Sequence, residues 1–194
     1  MPPRRVALRL LLALLFGPVC AVALADAIGY ALVYDCKAES TEIIVEHHHD
    51  WSNATRDARW KMISTDKQIL GTENKYSYVR AVRRQDGRQL FQVPAPALSY
   101  IWISPDSRFI VGVSNIKLWN PLQVVVLNAN GDVLLARAVE NSTFPGVAES
   151  VTNSVKWYKE PAPEIAIEPF GEVFVLRVEG NSGVERVFQF RDQL

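Results

Sequence analysis

Cysteine is nearly missing from this 194-residue sequence, which has two, Cys20 and Cys36, and histidine is confined to the run His47-His48-His49. With one histidine cluster, any mechanism that needs an imidazole base or an imidazole metal ligand must draw it from three adjacent positions. No Gly-x-Ser-x-Gly, no His-Glu-x-x-His and no glycine-rich phosphate loop occurs. The local signatures of a serine hydrolase elbow, a helical zinc protease site and a nucleotide cradle are therefore absent. After the first 25 residues no apolar stretch reaches the roughly 20 residues that a membrane-spanning helix requires. Basic charge is not in excess either: 21 Lys and Arg balance 21 Asp and Glu.

What is present begins with a leader. Arg4, Arg5 and Arg9 give a basic start, Val6 to Phe16 is apolar apart from Arg9, and Gly17-Pro18 breaks the segment. Ala23-Leu24-Ala25 then supplies a small-x-small pattern, so residues 1–25 read as a secretory signal peptide cleaved after Ala25, with Ala25-Asp26-Ala27 as a second site. An uncleaved anchor fits less well because Pro18 interrupts the run. A lipoprotein reading would need a small residue before Cys20, where Val19 stands. Removal of the leader takes three arginines, leaving 18 basic against 21 acidic side chains, net about −3. Mild acidity argues against general nucleic-acid binding, which needs concentrated positive charge. The expected location is periplasmic or secreted. Cys36 is then the one thiol of the mature chain, and its place after Ala31-Leu32-Val33-Tyr34 suggests a buried strand end.

Residues 26–194 read as a single all-β domain. Short β-rich runs alternate with turn residues, and no long stretch holds a 3.6-residue apolar period. Ile28 to Tyr34 and Thr41 to His47 are the first two expected strands, and Ser52 to Asp57 a brief helical turn. Arg59 to Asp66 then matches Ser99 to Asp106 at an offset of 40 residues, each copy an aromatic, an apolar run and a Ser-x-Asp turn. Strands are expected at Gln68 to Thr72, Tyr76 to Arg84 and Gln89 to Val93 after the first copy. After the second they are expected at Phe109 to Val113, Leu122 to Leu127 and Val133 to Val139. Asp86-Gly87 and Asn130-Gly131 mark tight hairpins, since both dipeptides tolerate positive φ. A weaker third copy runs through Val155 to Tyr158, Glu164 to Glu168, Glu172 to Glu179 and Val184 to Phe190. The repeat-like units thus lie at about 57–94, 97–139 and 152–190.

Four short strands in about 40 residues is also the pattern of a propeller blade. Ser104-Pro105-Asp106-Ser107-Arg108, the apolar Phe109, Ile110 and Val111, and Val124 to Leu127 with Asn130-Gly131-Asp132 resemble blades of WD40-like and related periplasmic β-propeller families. That resemblance covers roughly Asp57 to Val139 and implies a propeller-like stack of short four-stranded antiparallel units. The N-terminal pair would complete a fourth blade or cover an open edge, or the chain would close as a homodimer. An irregular antiparallel β-sandwich is the alternative from the same pattern.

The chemically suggestive run is Glu46-His47-His48-His49-Asp50. In an extended strand His47 and His49 share a face, which with Asp50 or Glu46 as third ligand would suit zinc, copper or nickel. The ordinary reading is a solvated strand end with no cofactor. Cys36 paired with a histidine is a further formal possibility for nucleophilic chemistry. Of the five tryptophans, Trp60, Trp102 and Trp157 occupy corresponding strands and read as core, while Trp51 and Trp119 lie near loops and read as contact residues for a partner or a glycan. Arg83 and Arg84, beside the Asp86-Gly87 hairpin, are either edge-protecting charge or a docking patch. Asn53-Ala54-Thr55 and Asn141-Ser142-Thr143 are glycosylation acceptors in a eukaryotic source. Taken together the residues favour binding over catalysis: an exported protein that recognises an envelope or secreted macromolecule, in an assembly, inhibitor or immunity role. The alternative is a metal-binding protein or metal-dependent hydrolase centred on His47 to Asp50.

Overall fold

A computed structural model describes residues 33–50, 77–117, 120, 122–139, 148–149 and 154–192. The leader, the first repeat copy at 59–66, the segment expected as a strand at 68–72, the turn at 52–57, both glycosylation acceptors, and Trp51, Trp60 and Trp119 lie outside the described residues. Within them the protein is all-β. The strands are β1 (Val33–Glu39), β2 (Ile43–Asp50), β3 (Ser77–Arg83), β4 (Gln89–Pro94), β5 (Tyr100–Ile103), β6 (Phe109–Val113), β7 (Val124–Asn128), β8 (Val133–Arg137), β9 (Ala148–Glu149), β10 (Val155–Lys156), β11 (Ile165–Phe170), β12 (Val173–Val178) and β13 (Arg186–Phe190). Among the described residues no helix is long and apolar enough to cross a membrane.

The strands form separate antiparallel sheets in the orders β1-β2-β3-β4, β5-β6-β7-β8 and β11-β12-β13, with β9 and β10 as a two-stranded pair. Burial shows how the three larger sheets stack. Every residue of β6 and of β7 is buried, whereas β2 and β13 alternate buried with more exposed positions. Ile110, Val125 and Leu127 face one core with Ile43, Val45, Val79, Ala81 and Phe91 of the first sheet. Phe109, Val111, Val113, Val124 and Val126 face another with Trp157, Leu176, Val178, Phe188 and Phe190. The middle sheet is therefore apolar on both faces and the outer sheets on one, an irregular β-sandwich of three layers.

This arrangement corrects the propeller expectation. Among the described residues the sheets are not closed into a ring or barrel. The N-terminal strand pair is not a separate element, because β2 pairs directly with β3 from His49↔Ser77 to Ile43↔Arg83. In the third unit β10 pairs with β9 rather than β11, leaving a three-stranded sheet. The 40-residue period misleads because a four-stranded meander with a tight hairpin has the same length whether it lies in a ring or in a stack of layers.

The hairpin signals themselves hold. Gly87 and Gly131 have φ of 70° and 88°, and the amide of Gly131 donates to Asn128 O at 3.0 Å. Asn128 Oδ1 accepts from the amides of Asn130 and Asp132, both at 2.9 Å. The first sheet packs on this turn: a Cβ on Gly131 would sit 2.7 Å from Phe91 Cγ. Gly131→Ala should therefore destabilise the fold by about 1–2 kcal/mol from the left-handed backbone and about 1–3 kcal/mol more from displacing the ring. Urea denaturation checks this, and Gly87→Ala, where the added Cβ meets nothing within 4 Å, should show the backbone part alone.

Candidate functional site

Pairing of β1 with β2 sets Cys36 opposite His47 and Tyr34 opposite His49, so these four side chains share one face of the first sheet. That face is covered by the segment leading into β5. His47 and His49 are buried, with 1% and 0% exposure, and the expectation of a solvated strand end is overturned. The sequence explains this, because Ile43, Val45, His47 and His49 continue one inward-facing register.

His47 ties the first sheet to the segment leading into β5. Its Nδ1 lies 2.9 Å from Tyr78 O, and its Nε2 accepts the Leu98 amide hydrogen at 3.0 Å. A carbonyl can only accept, so Nδ1 carries the proton and Nε2 presents a lone pair. His49 Nδ1, 3.2 Å from His47 Nε2, is then the donor between the two rings. Burial, reinforced by the neighbouring His49, drives the His47 pKa down to about 3, so the imidazole is neutral.

The four residues expected around a metal do not converge. His47 and His49 point inward, while alternation turns Glu46, His48 and Asp50 to the other face. There Glu46 pairs with Arg80 at 3.1 Å and His48 with Asp35 at 2.7 Å. Among the described residues no group of three or more His, Cys, Asp and Glu side chains gathers to hold a metal ion. Cys36 lies within β1 rather than at its end and is partly buried. Burial, with a smaller contribution from Asp35, pushes its thiol up to about 12. The thiolate needed for nucleophilic attack is thus disfavoured.

Arg83 and Arg84 belong to the hairpin. Arg83 bonds to Asp86 at 3.2 Å, and Arg84 to Glu39 at 3.1 Å and to Ser40 O at 3.0 Å. These contacts tie the turn to the β1–β2 connection.

A group of residues not apparent in the sequence comes together instead. Tyr34, His49, Ser99, Asn115, Ile116, Tyr158, Glu160 and Pro161 line a cleft of about 320 Å³ between the first sheet and the loops of the other two. Asn115 N–H donates to Ser99 Oγ at 3.2 Å, Ser99 O–H to Asn115 Oδ1 at 2.7 Å, and Asn115 Nδ2–H to Glu160 Oε1 at 2.6 Å. Tyr34 O–H donates to Ser99 O at 3.2 Å, and the Tyr158 phenol bonds to the Ser99 side chain. Burial raises the pKa of both phenols, helped by Cys36 at Tyr34 and by Glu160 at Tyr158. Each keeps its proton. These residues span positions 34 to 161 without local spacing, and only the tertiary packing assembles them.

No family model matches the chain, and no curated protein matches it. The expected likeness to WD40-like propeller families therefore has no support from sequence comparison, in line with the unclosed sheets. A solved structure titled "Crystal structure of the eukaryotic initiation factor" is similar at a TM-score of 0.35 and 13% identity. The match covers 86% of this chain and 42% of the other. The chain thus spans less than half the length of that protein.

Proposed function

We propose that this protein is an exported binding protein that recognises a macromolecular partner of the cell envelope through the cleft beside Tyr34 and Tyr158. The observation that carries the reading is the state of the groups lining that cleft. Two neutral phenols, a serine and an asparagine are fixed by hydrogen bonds around an exposed carboxylate, and the nearby thiol and His47 imidazole are held in unreactive forms. Preorganised polar groups on an aromatic wall lose little freedom when a ligand arrives, which favours recognition. The basic, apolar and small-x-small sequence of residues 1–25 supports export.

A photo-crosslinking amino acid in place of Tyr34 tests the surface in the native host. Expected is a defined crosslinked species in the envelope fraction that is missing when the same group replaces Val187, an exposed residue of β13. Equal crosslinking from both positions would remove the cleft as the recognition surface. Mass spectrometry of the recovered protein should give a chain beginning at Asp26 or Ile28, and an intact leader would overturn export.

A further inference from the structure

Following the polar hydrogens of the cleft shows what it lacks. The Tyr34 hydrogen goes to Ser99 O, the Ser99 hydrogen to Asn115 Oδ1, and an Asn115 amide hydrogen to Glu160 Oε1. The Ser99 hydroxyl has one hydrogen and has spent it on Asn115. Each hydrogen traced in this relay is directed into the protein and the chain ends on a carboxylate. What the relay leaves for a ligand is chiefly lone pairs, those of the exposed Tyr34 phenol and of the exposed Glu160 carboxylate. Among the described residues lining the cleft, Glu160 is the one carboxylate and no lysine or arginine joins it.

We infer that this cleft receives an alkylammonium group, the chemistry of a lysine side chain on the protein partner. The inference rests on the binding reading given above. An ammonium has three hydrogens to donate and accepts none, the complement of a pocket that offers acceptors. An anion would meet the Glu160 charge, and a neutral sugar hydroxyl would gain nothing from that charge. The exposed Tyr34 ring in the cleft wall adds aromatic surface of the kind that attracts a cation. Glu160 is exposed, so its charge reaches a docking side chain without first being buried alone.

The test is titration calorimetry of the untagged mature protein with acetyl-Gly-Lys-Gly-amide, its norleucine and arginine counterparts, and butylamine. The lysine peptide should bind about tenfold or more tightly than the norleucine peptide, the value of one charge-assisted contact. It should also bind more tightly than the arginine peptide and than butylamine. Glu160→Gln keeps an acceptor for Asn115 and removes the charge. It should weaken lysine-peptide binding by about tenfold with an unchanged melting temperature. Equal binding of the lysine and norleucine peptides, or undiminished binding by Glu160→Gln, overturns the ammonium site. Tighter arginine binding overturns the choice of cation, and equal butylamine binding overturns the protein source. Continued crosslinking from position 34 alongside any of these failures leaves the binding reading standing and rejects only the ammonium.

Discussion

Trp157→Ala is expected to cost about 3–5 kcal/mol, the largest loss from a single aromatic truncation among the described residues. The side chain is fully buried and lies in the core between the middle sheet and β11–β13. Its ring meets Tyr158 at 5.1 Å and Phe188 at 6.1 Å between centroids, both edge-on. Truncation opens a cavity that the surrounding strands cannot close, since Val113 and Val124 are held in their own ladders. It also removes the indole N–H that donates to Ser114 O at 2.7 Å, leaving a buried carbonyl without that donor. Trp157→Phe separates the two contributions: it restores most of the ring volume but not the hydrogen bond, and should retain a loss of about 1–3 kcal/mol. Urea unfolding at neutral pH measures both variants. A loss below about 1 kcal/mol for the alanine variant would mean that this core contributes little to holding the layers together.

Acidification should unfold the protein through His47. Its pKa in the folded state is down to about 3 against an ordinary 6.5, because burial and the adjacent His49 and His48 disfavour the imidazolium. Above pH 6.5 both folded and unfolded forms are neutral, and His47 adds no pH dependence. Between 6.5 and about 3 the unfolded chain binds a proton that the folded chain excludes. Stability then falls by up to about 1.4 kcal/mol for each pH unit, and the loss levels off below the folded pKa. The measurement is the unfolding free energy at about pH 7, 6, 5 and 4 for the protein and for His47→Gln. A neutral glutamine should flatten the slope between about pH 6 and 4 while costing stability at neutral pH, where the bonds to Tyr78 O and Leu98 N–H are disturbed. Parallel slopes would show that His47 is protonated without penalty.

Among the described residues the strands were largely legible, and the reason is local; the first is displaced, since β1 runs Val33–Glu39 where Ile28 to Tyr34 was expected. Gly87 and Gly131 adopt positive φ, and each bends the chain where the sequence places it. The uninterrupted apolar runs Phe109 to Val113 and Val124 to Leu127 marked strands, and their lack of alternation is the signature of a sheet covered on both sides. In the last strand, periodicity left the face open because Val187 competes with Phe188 and Phe190. The structure buries Arg186, Phe188 and Phe190 and exposes Val187. Closure into a ring was not legible, because blade and layer share the same meander length. The histidines were conspicuous in the sequence, yet what they do depends on Leu98, 51 positions away, whose amide meets Nε2. The cleft was invisible for a related reason: Tyr34, Ser99, Asn115 and Glu160 are ordinary residues until three layers bring them to one place.

The chain order of the sheets has a consequence for how the protein is made. Each large sheet uses neighbouring strands in sequence, so it can assemble from its own stretch as soon as that stretch is available, and such local pairing is fast. The middle sheet is complete at Arg137, but Phe109, Val111, Val113, Val124 and Val126 wait for Trp157, Leu176 and Phe190 to cover them. A nascent chain halted between these points carries a finished sheet with one adhesive side. The last third of the polypeptide thus acts on the earlier part as a cover, and any holding factor met during synthesis would be needed most in that interval.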